Sequence, residues 1–186
     1  MMDRSVPMIG LAMACDDLHA APIFELPPRY GVRWFRPGDE YLWAEIERSA
    51  GEFENTADAI KKFRNKYFPT DEGLSERMLF LTENGAAFAT ATAWYGEGMG
   101  RLHWVGIDAA HQGRGLSRPL VSLALERLRA LGHRSAYLTT QTASWVAIRV
   151  YREFGFRPLL RDESERAGWE IVSRKTNMDF MKDLEG

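Results

Sequence analysis

The spacing of apolar residues changes several times along the chain, from a period of about two to a period of three or four. Alternating or short continuous apolar runs predict strands, whereas apolar residues at every third or fourth position predict helices. Strands are predicted over 30–36, 101–108, 135–140 and 156–160, with a hairpin over 78–96. Helices are predicted over 40–50, 55–68, 116–131 and 144–155.

Several residues mark where these elements begin, turn or end. Asn84-Gly85 stands between two β-like runs and is a strong signal for a hairpin turn. Asp39 and Ser144 are predicted helix N-caps, because a short side-chain oxygen accepts a hydrogen bond from a free N–H of the first turn. Pro69 is predicted to end the helix that precedes it.

The order of these elements predicts the fold class. The segment 165–175 fits both a helix and a final strand, and the helix is preferred. Alternation of strands and helices predicts an α/β protein (α+β) with one mixed central sheet flanked by helices. The 186 residues are enough for a single domain with its own core. We expect this domain to span 29–186, and residues 1–28 to form an arm packed on it.

Composition and charge exclude several classes of protein. The net charge of -2 indicates neither a nucleic-acid surface nor a polybasic membrane anchor. The single cysteine, Cys15, excludes a disulfide framework within the chain and favours a reducing, cytoplasmic compartment. The four histidines show no zinc-ligand spacing, so no metal is expected. The apolar run 6–15 is too short to cross a bilayer and lacks the basic start of a signal peptide.

The stretch HQGRGLSRPL, residues 111–120, carries the first candidate chemistry. It follows a predicted strand and opens a predicted helix, whose free N–H groups and partial positive charge attract anions. Glycine lets an anion approach the backbone, and Arg114 adds a permanent cation. The spacing alone fits a purely structural turn equally well. It matches neither a Walker A loop nor a complete dinucleotide fingerprint.

A second motif lies about 30 residues further along, in LTTQTASWVAIRVYREFGF, and the two together resemble the Gcn5-related N-acetyltransferase (GNAT) superfamily. In that family a Gln/Arg-x-x-Gly-x-Gly/Ala signature binds the pyrophosphate of acetyl-CoA. The second motif resembles the family's helix with a tyrosine, followed by a Gly-Phe strand start at Gly155-Phe156. The signature reads here Gln112-Gly113-Arg114-Gly115-Leu116-Ser117.

The chain departs from the family pattern at two positions. Ser117 stands where the family usually has glycine or alanine, but serine is small enough to let the pyrophosphate approach the backbone. Ser144 stands where many members have an asparagine that contacts the cofactor arm, and its hydroxyl would have to make that contact instead.

The resemblance implies a GNAT-like domain in which two parallel strands splay apart to admit the pantetheine arm of acetyl-CoA. Backbone N–H groups of residues 113–117, together with Arg114, would hold the pyrophosphate. The edge of the strand at Val105 and Ile107 would bind the arm like an added strand. A backbone N–H near Ile107 would donate to the thioester carbonyl and stabilise the developing negative charge.

The resemblance also implies roles in proton transfer. Tyr151 matches the family's general acid, which protonates the leaving thiolate, although a packing role on an amphipathic helix is the alternative. His103 is the preferred general base, because strand alternation would put it on the face of Val105 and Ile107. A histidine that merely lines the pocket is the alternative. Weaker candidates for the base are Glu83, Glu97 and Asp108.

The acceptor pocket is expected between the helices at 40–68 and the hairpin. Trp94 and Trp104 are read as core residues, and His111 is expected to point to solvent. The implied function is direct acetyl transfer from acetyl-CoA to an amine of a small molecule or peptide. No nucleic acid or membrane partner is expected, and the protein is expected to be a monomer or a homodimer.

Two other functions stay open on the sequence alone. The first is an acyl-CoA-binding sensor of the same fold with little turnover. The second is a different nucleotide- or phosphate-binding α/β protein, which would show no preference for CoA and would give Tyr151 no role.

Overall fold

A computed structural model describes residues 2–67 and 73–184. Seven strands form one mixed sheet in the order β2-β3-β4-β5-β6-β1-β7. Its strands are Gly10–Cys15 (β1), Tyr30–Trp34 (β2), Met78–Glu83 (β3), Ala86–Tyr95 (β4), Gly100–Ile107 (β5), Ala136–Gln141 (β6) and Arg157–Leu159 (β7). The flanking helices are Glu40–Ala50 (α1), Thr56–Tyr67 (α2), Leu74–Arg77 (α3), Ser117–Ala130 (α4), Trp145–Glu153 (α5) and Ser164–Thr176 (α6).

This arrangement confirms the predicted mixed α/β fold. The hairpin β3–β4 turns at Asn84-Gly85, and both residues have positive φ, as a tight turn of this kind requires. Strands β5 and β6 run parallel, and their register joins Gly100 to Ala136 and Arg101 to Tyr137 at the start of both strands.

Contacts between Cα atoms divide the chain into two compact units. The first unit contains residues 1–22, 95–101 and 128–186, and the second contains 23–94 and 102–127. The first unit therefore carries β1, β6, β7, α5 and α6. The second carries β2, β3, α1, α2 and α3, together with nearly all of β4, most of β5 and most of α4.

An aromatic cluster forms the core of the second unit, between α1, α2 and strands β3 and β4. Trp43 of α1 contacts Phe63 of α2 edge to face, with ring centroids 5.1 Å apart. Tyr67 of α2 meets Trp94 of β4 in the same geometry at 4.8 Å. Such pairs add roughly 0.5–1.5 kcal/mol to the free energy of burying the rings. Trp94 is buried in this core, as the sequence predicts.

The first unit shows one clear difference from the prediction. Residues 10–15, expected to belong to an arm packed on the domain, form strand β1 between β6 and β7 and pair antiparallel with both. Leu11, Ala12 and Met13 are buried there. A continuous apolar run is typical of a strand covered on both faces, which explains why this segment lies inside the sheet.

The predicted helix ends are partly corrected. Asp39 and Ser144 precede α1 and α5, but neither side chain makes a capping hydrogen bond. The Asp39 carboxylate instead accepts hydrogen bonds from the Arg33 guanidinium and from the Arg36 N–H. The two bonds to the Arg33 guanidinium orient the carboxylate away from the first turn, while the Asp39 C=O still accepts a hydrogen bond from the Trp43 N–H.

The sequence also makes predictions for the segment 165–175 and for Pro69. The segment 165–175 lies within helix α6, as preferred from the sequence. Pro69 lies outside the described residues. Within the described ranges, no helix has both the length and the apolar character needed to cross a membrane.

Candidate functional site

Strand β5 carries an irregularity at Trp104. Its φ is +47°, in the left-handed region that a non-glycine residue rarely adopts. His103 and Trp104 contact neighbouring helices: the His103 Nδ1 lies 3.1 Å from the Tyr67 hydroxyl of α2, and the Trp104 ring lies 5.1 Å from that of Trp43 of α1. The strict alternation used to place His103 on the face of Val105 therefore does not run through residue 104.

The sequence reasoning missed a buried carboxyl beside this strand. Glu47 of α1 is 1% exposed, and neither carboxyl oxygen has a hydrogen-bond partner among the described residues. Its carboxyl lies against Gly106 of β5: a Cβ built there would stand 2.7 Å from Oε1 and 2.9 Å from Cδ. Only glycine at position 106 leaves this space.

The environment of Glu47 opposes its ionisation. Burial raises the pKa of the Glu47 carboxyl well above its usual range, and the negative charge of Glu52 raises it further. Glu47 is therefore a neutral acid over a wider pH range than an exposed glutamate. One sequence signal was available: Glu47 lies four residues after Trp43, so both project from the same side of α1.

The glycine loop has the geometry that anion binding requires. Gly113 and Gly115 have φ of +75° and +76°, and a Cβ at either would meet nothing within 4 Å. Both are exposed, so a ligand can approach the backbone there. Helix α4 begins directly after the loop, and the Leu120 N–H donates to the Leu116 C=O. The first N–H groups of a helix have no carbonyl partner within the helix, so those at the start of α4 are available to an acceptor.

Side chains brace this loop against the end of β5. The Gln112 amide Nε2 donates to the Ile107 C=O at 2.9 Å. His111 stacks on Phe88 with ring centroids 4.0 Å apart, and its ring nitrogens lie 2.6 Å from Asp108 Oδ1 and 3.2 Å from an oxygen of Glu83. The expectation that His111 points to solvent is therefore wrong, because ring stacking and two carboxylates hold it in the fold.

The cation of the loop also has an acidic neighbour. A guanidinium nitrogen of Arg114 lies 3.8 Å from Glu83, and the Arg114 side chain is still 41% exposed. An exposed pair at this distance contributes little to stability. Arg114 can therefore exchange the carboxylate for a phosphate at small cost.

The predicted site residues are distributed over both units. Those in the second unit are on β5 or in the loop, whereas Ser144 and Tyr151 belong to the first unit. Tyr151 is nearly buried on α5, and its ring faces Phe156 edge-on at 6.2 Å. The second-unit residues are His103, Val105, Ile107, Gln112, Gly113, Arg114, Gly115, Leu116 and Ser117.

The weaker candidates for the base have other surroundings. Asp108 accepts a hydrogen bond from the His111 backbone N–H, as a turn residue does, and Glu83 contacts the glycine loop. Glu97 is exposed in the β4–β5 connection. Across residues 2–67 and 73–184, no group of three or more acidic, histidine or cysteine side chains is arranged to hold a metal.

Comparison with known proteins identifies the family. The sequence model of the acetyltransferase (GNAT) family matches residues 34–156, which include β5, the glycine loop and Tyr151. The chain belongs to the GNAT family of acetyltransferases. The match covers the two motifs from which the resemblance was inferred, so the family prediction is confirmed.

Relatives and solved GNAT structures agree with this membership. A mycothiol acetyltransferase of Cellulomonas flavigena is 32% identical over an alignment of 145 positions, which covers 71% of this chain and 42% of the relative. The chain thus spans less than half of that relative's length. A GNAT protein from Sphaerobacter thermophilus has a TM-score of 0.66 at 24% identity, covering 81% of this chain and 48% of the other.

A second structure has a similar length to this chain. The ribosomal-protein-S18-alanine N-acetyltransferase of Escherichia coli has a TM-score of 0.59 at 21% identity. The match covers 70% of this chain and 79% of the other. At this level of identity the similarity establishes the GNAT fold alone.

Proposed function

We propose that this protein transfers an acetyl group from acetyl-CoA directly to an amine of a small molecule or peptide. The observation that carries the proposal is the exposed loop with two positive-φ glycines at the start of α4, within the region that matches the GNAT family. This loop offers backbone N–H groups and the Arg114 guanidinium to a pyrophosphate.

Different residues are proposed to bind different parts of acetyl-CoA. Acetyl-CoA supplies the acetyl group as an activated thioester. The N–H groups of 113–117 hold its pyrophosphate, and Gln112 keeps the loop attached to β5 through its bond to Ile107. Backbone groups at Val105 and Ile107 bind the pantetheine arm, with the Ser144 hydroxyl as a further contact. The N–H near Ile107 polarises the thioester carbonyl.

Two side chains are proposed to move protons. Tyr151 donates its hydroxyl proton to the departing thiolate, because a phenol is neutral near pH 7 and can act as an acid. His103 accepts a proton from the amine, and its hydrogen bond to the Tyr67 hydroxyl fixes the orientation of the imidazole ring. Each role requires contact with a reacting atom.

The relatives support a small-molecule acceptor. Several are named mycothiol acetyltransferase, and the one from Cellulomonas flavigena aligns with 71% of this chain. We infer from the composition that the protein acts in the cytoplasm, without nucleic acid, as a monomer or homodimer. We propose that it carries out this transfer without a metal.

Replacing Arg114 with glutamate should weaken acetyl-CoA binding about 10-fold or more, because a carboxylate would then stand beside the pyrophosphate. Calorimetric titration with acetyl-CoA measures this, with ATP and NAD as control ligands. Arg149→Glu is the matched variant, since Arg149 is an exposed arginine of α5. Its affinity should stay close to the parent value.

The same titration separates the competing functions. Selective binding of acetyl-CoA, followed by acetylation of an amine in a panel of primary amines, supports the enzyme. Selective binding without any turnover supports the sensor. Equal binding of ATP, NAD and acetyl-CoA would contradict the assignment of the loop to CoA.

Replacing His103 with glutamine should lower kcat about 100-fold, the usual contribution of a general base, while acetyl-CoA affinity changes little. The rate should be measured as a function of pH on an accepted amine. The loss should be greatest at high pH, where the parent imidazole is neutral and able to accept a proton. His19→Gln, at an exposed histidine, is the control. If His103→Gln has the same rate as the parent, His103 only lines the pocket and is not the general base.

A further inference from the structure

The layer between α1 and the sheet contains several buried polar groups without partners. Among the described residues, no hydrogen bond reaches either Glu47 carboxyl oxygen, the Trp43 indole N–H or the Trp104 indole N–H. Most buried polar groups in proteins are paired, because an unpaired one costs about 1–3 kcal/mol. The Glu47 carboxyl, whose two buried oxygens have no partner among the described residues, points to a ligand that donates hydrogen bonds to it.

The local geometry brings these groups to one place. Trp43 and Glu47 are four residues apart on α1 and share a face of the helix. On β5, Trp104 contacts Trp43 and Gly106 contacts the Glu47 carboxyl. The carboxyl therefore lies directly against β5, the strand proposed to hold the thioester, and on the same face of α1 as Trp43.

This layer is not sealed from solvent. Phe53, which follows α1, stacks on Trp104 with ring centroids 5.6 Å apart and also contacts Trp43 at 5.9 Å. Phe53, His103 and Trp104 are all partly exposed. Glu47 and Trp43 are thus buried, whereas Phe53 and Trp104 of the same layer reach the solvent.

The chemistry of these side chains selects the ligand. A carboxyl group binds cations once it is ionised, and aromatic faces attract cations through their quadrupoles. An ammonium group offers three N–H donors to the two carboxylate oxygens, whereas a hydroxyl offers only one donor and an anion would be repelled by the ionised carboxylate. A primary ammonium group on a slender apolar stem has both the charge and the shape for this site.

We propose that Glu47 binds the ammonium group of an aliphatic amine acceptor, with the Trp43, Phe53 and Trp104 rings around its stem. The inference rests on the proposed acetyltransferase function and names its acceptor class: a flexible primary alkylamine that enters as a cation. Glu47 is thus a binding residue for the acceptor, next to the strand that presents the acetyl group.

Binding of a cation to this carboxyl is coupled to a proton. Burial and the charge of Glu52 raise the pKa of the Glu47 carboxyl, so wherever this carboxyl is protonated an arriving ammonium must displace its proton to solvent. Nearby titratable groups are Glu52 after α1, Tyr67 of α2 and His103 of β5, whereas Gly106 adds none. Affinity for the ammonium should therefore rise with pH as Glu47 becomes easier to ionise.

The test uses n-hexylammonium chloride as a probe and 1-hexanol as its uncharged control of equal chain length. Both are titrated calorimetrically into the protein saturated with CoA, which permits no acetyl transfer. Titrations in two buffers with different ionisation enthalpies count the protons released. The variants are Glu47→Gln and Glu54→Gln, which removes an exposed carboxylate of the same unit.

The expected result is that the parent binds hexylammonium at least 10-fold more tightly than hexanol and releases up to one proton. Glu47→Gln should lose both the preference and the proton release, whereas Glu54→Gln should keep them. Equal affinity for the two probes in the parent, or unchanged hexylammonium binding in Glu47→Gln, would overturn the proposal.

The comparison of hexylammonium with hexanol in the parent protein needs no variant, so it tests the proposal even where Glu47→Gln does not fold. Hexylammonium binding that does not strengthen as the pH rises would also contradict the proposal. Failure of CoA to bind would instead count against the proposed function. The same probes titrated into the protein without CoA would still test Glu47, so the two failures are distinguishable.

Discussion

Replacing Tyr151 with phenylalanine should lower kcat about 100- to 1,000-fold, the usual contribution of a positioned general acid. The substitution removes one oxygen and keeps the ring, so packing against Phe156 at 6.2 Å is preserved. Without the hydroxyl, the thiolate has to leave unprotonated. Steady-state kinetics on an accepted amine, together with acetyl-CoA calorimetry, measures the effect, and the acetyl-CoA affinity should change by less than about 3-fold.

A second tyrosine provides the control for this prediction. Tyr137 lies on β6 in the same unit, with the Arg101 guanidinium 5.4 Å from its ring centroid. Tyr137→Phe removes the same atom from the same unit and should leave kcat within about 3-fold of the parent. A parental rate in Tyr151→Phe would make Tyr151 a packing residue, the alternative that its amphipathic helix also allows.

Replacing Trp43 with alanine should lower the free energy of unfolding by about 3–5 kcal/mol, as truncation of a large buried aromatic does. Trp43 is completely buried, and its ring contacts those of Phe53, Phe63 and Trp104. Its loss removes the support of Trp104 and leaves a cavity beside Glu47. Urea denaturation followed by circular dichroism measures the change.

An exposed tryptophan of the same unit is the matched control. Trp34 on β2 is 39% exposed, with the Arg127 guanidinium 5.4 Å from its ring centroid. Trp34→Ala should cost less than about 1 kcal/mol, because a half-exposed side chain leaves no closed cavity. Equal losses in the two variants would show that Trp43 does not anchor the second unit's core.

Features set by local chemistry were predictable from the chain alone. Asn84-Gly85 fixed the hairpin, because few residue pairs tolerate two consecutive positive φ angles. The glycine loop between a strand and a helix was equally local, since Gly113 and Gly115 supply the positive φ that the turn requires. The resemblance to the GNAT family was also inferred from short motifs, the glycine loop and the segment 138–156, and both lie within the matched residues 34–156.

Boundaries and caps were less predictable, because competing partners lie elsewhere in the chain. Asp39 has the right chemistry for an N-cap, yet Arg33 and the Arg36 N–H take its carboxylate. Segment 10–15 is apolar in a way that fits an arm as well as a strand. Pairing with β6 and β7, which lie more than 100 residues later, decides between them.

The sequence by itself determined the fold class, the family and the position of the glycine loop, since each could be inferred from residues within a few positions of one another. Tertiary structure alone decided the surroundings of Glu47, the irregularity at Trp104 and the stacking of His111 on Phe88. The spacing of residues along the chain does not show that the Glu47 carboxyl packs against Gly106 of a distant strand, whereas the Asp39 carboxylate pairs with Arg33. That depends on how α1 packs on β5, and this packing leaves the Glu47 carboxyl buried without a hydrogen-bond partner in the described part of the chain.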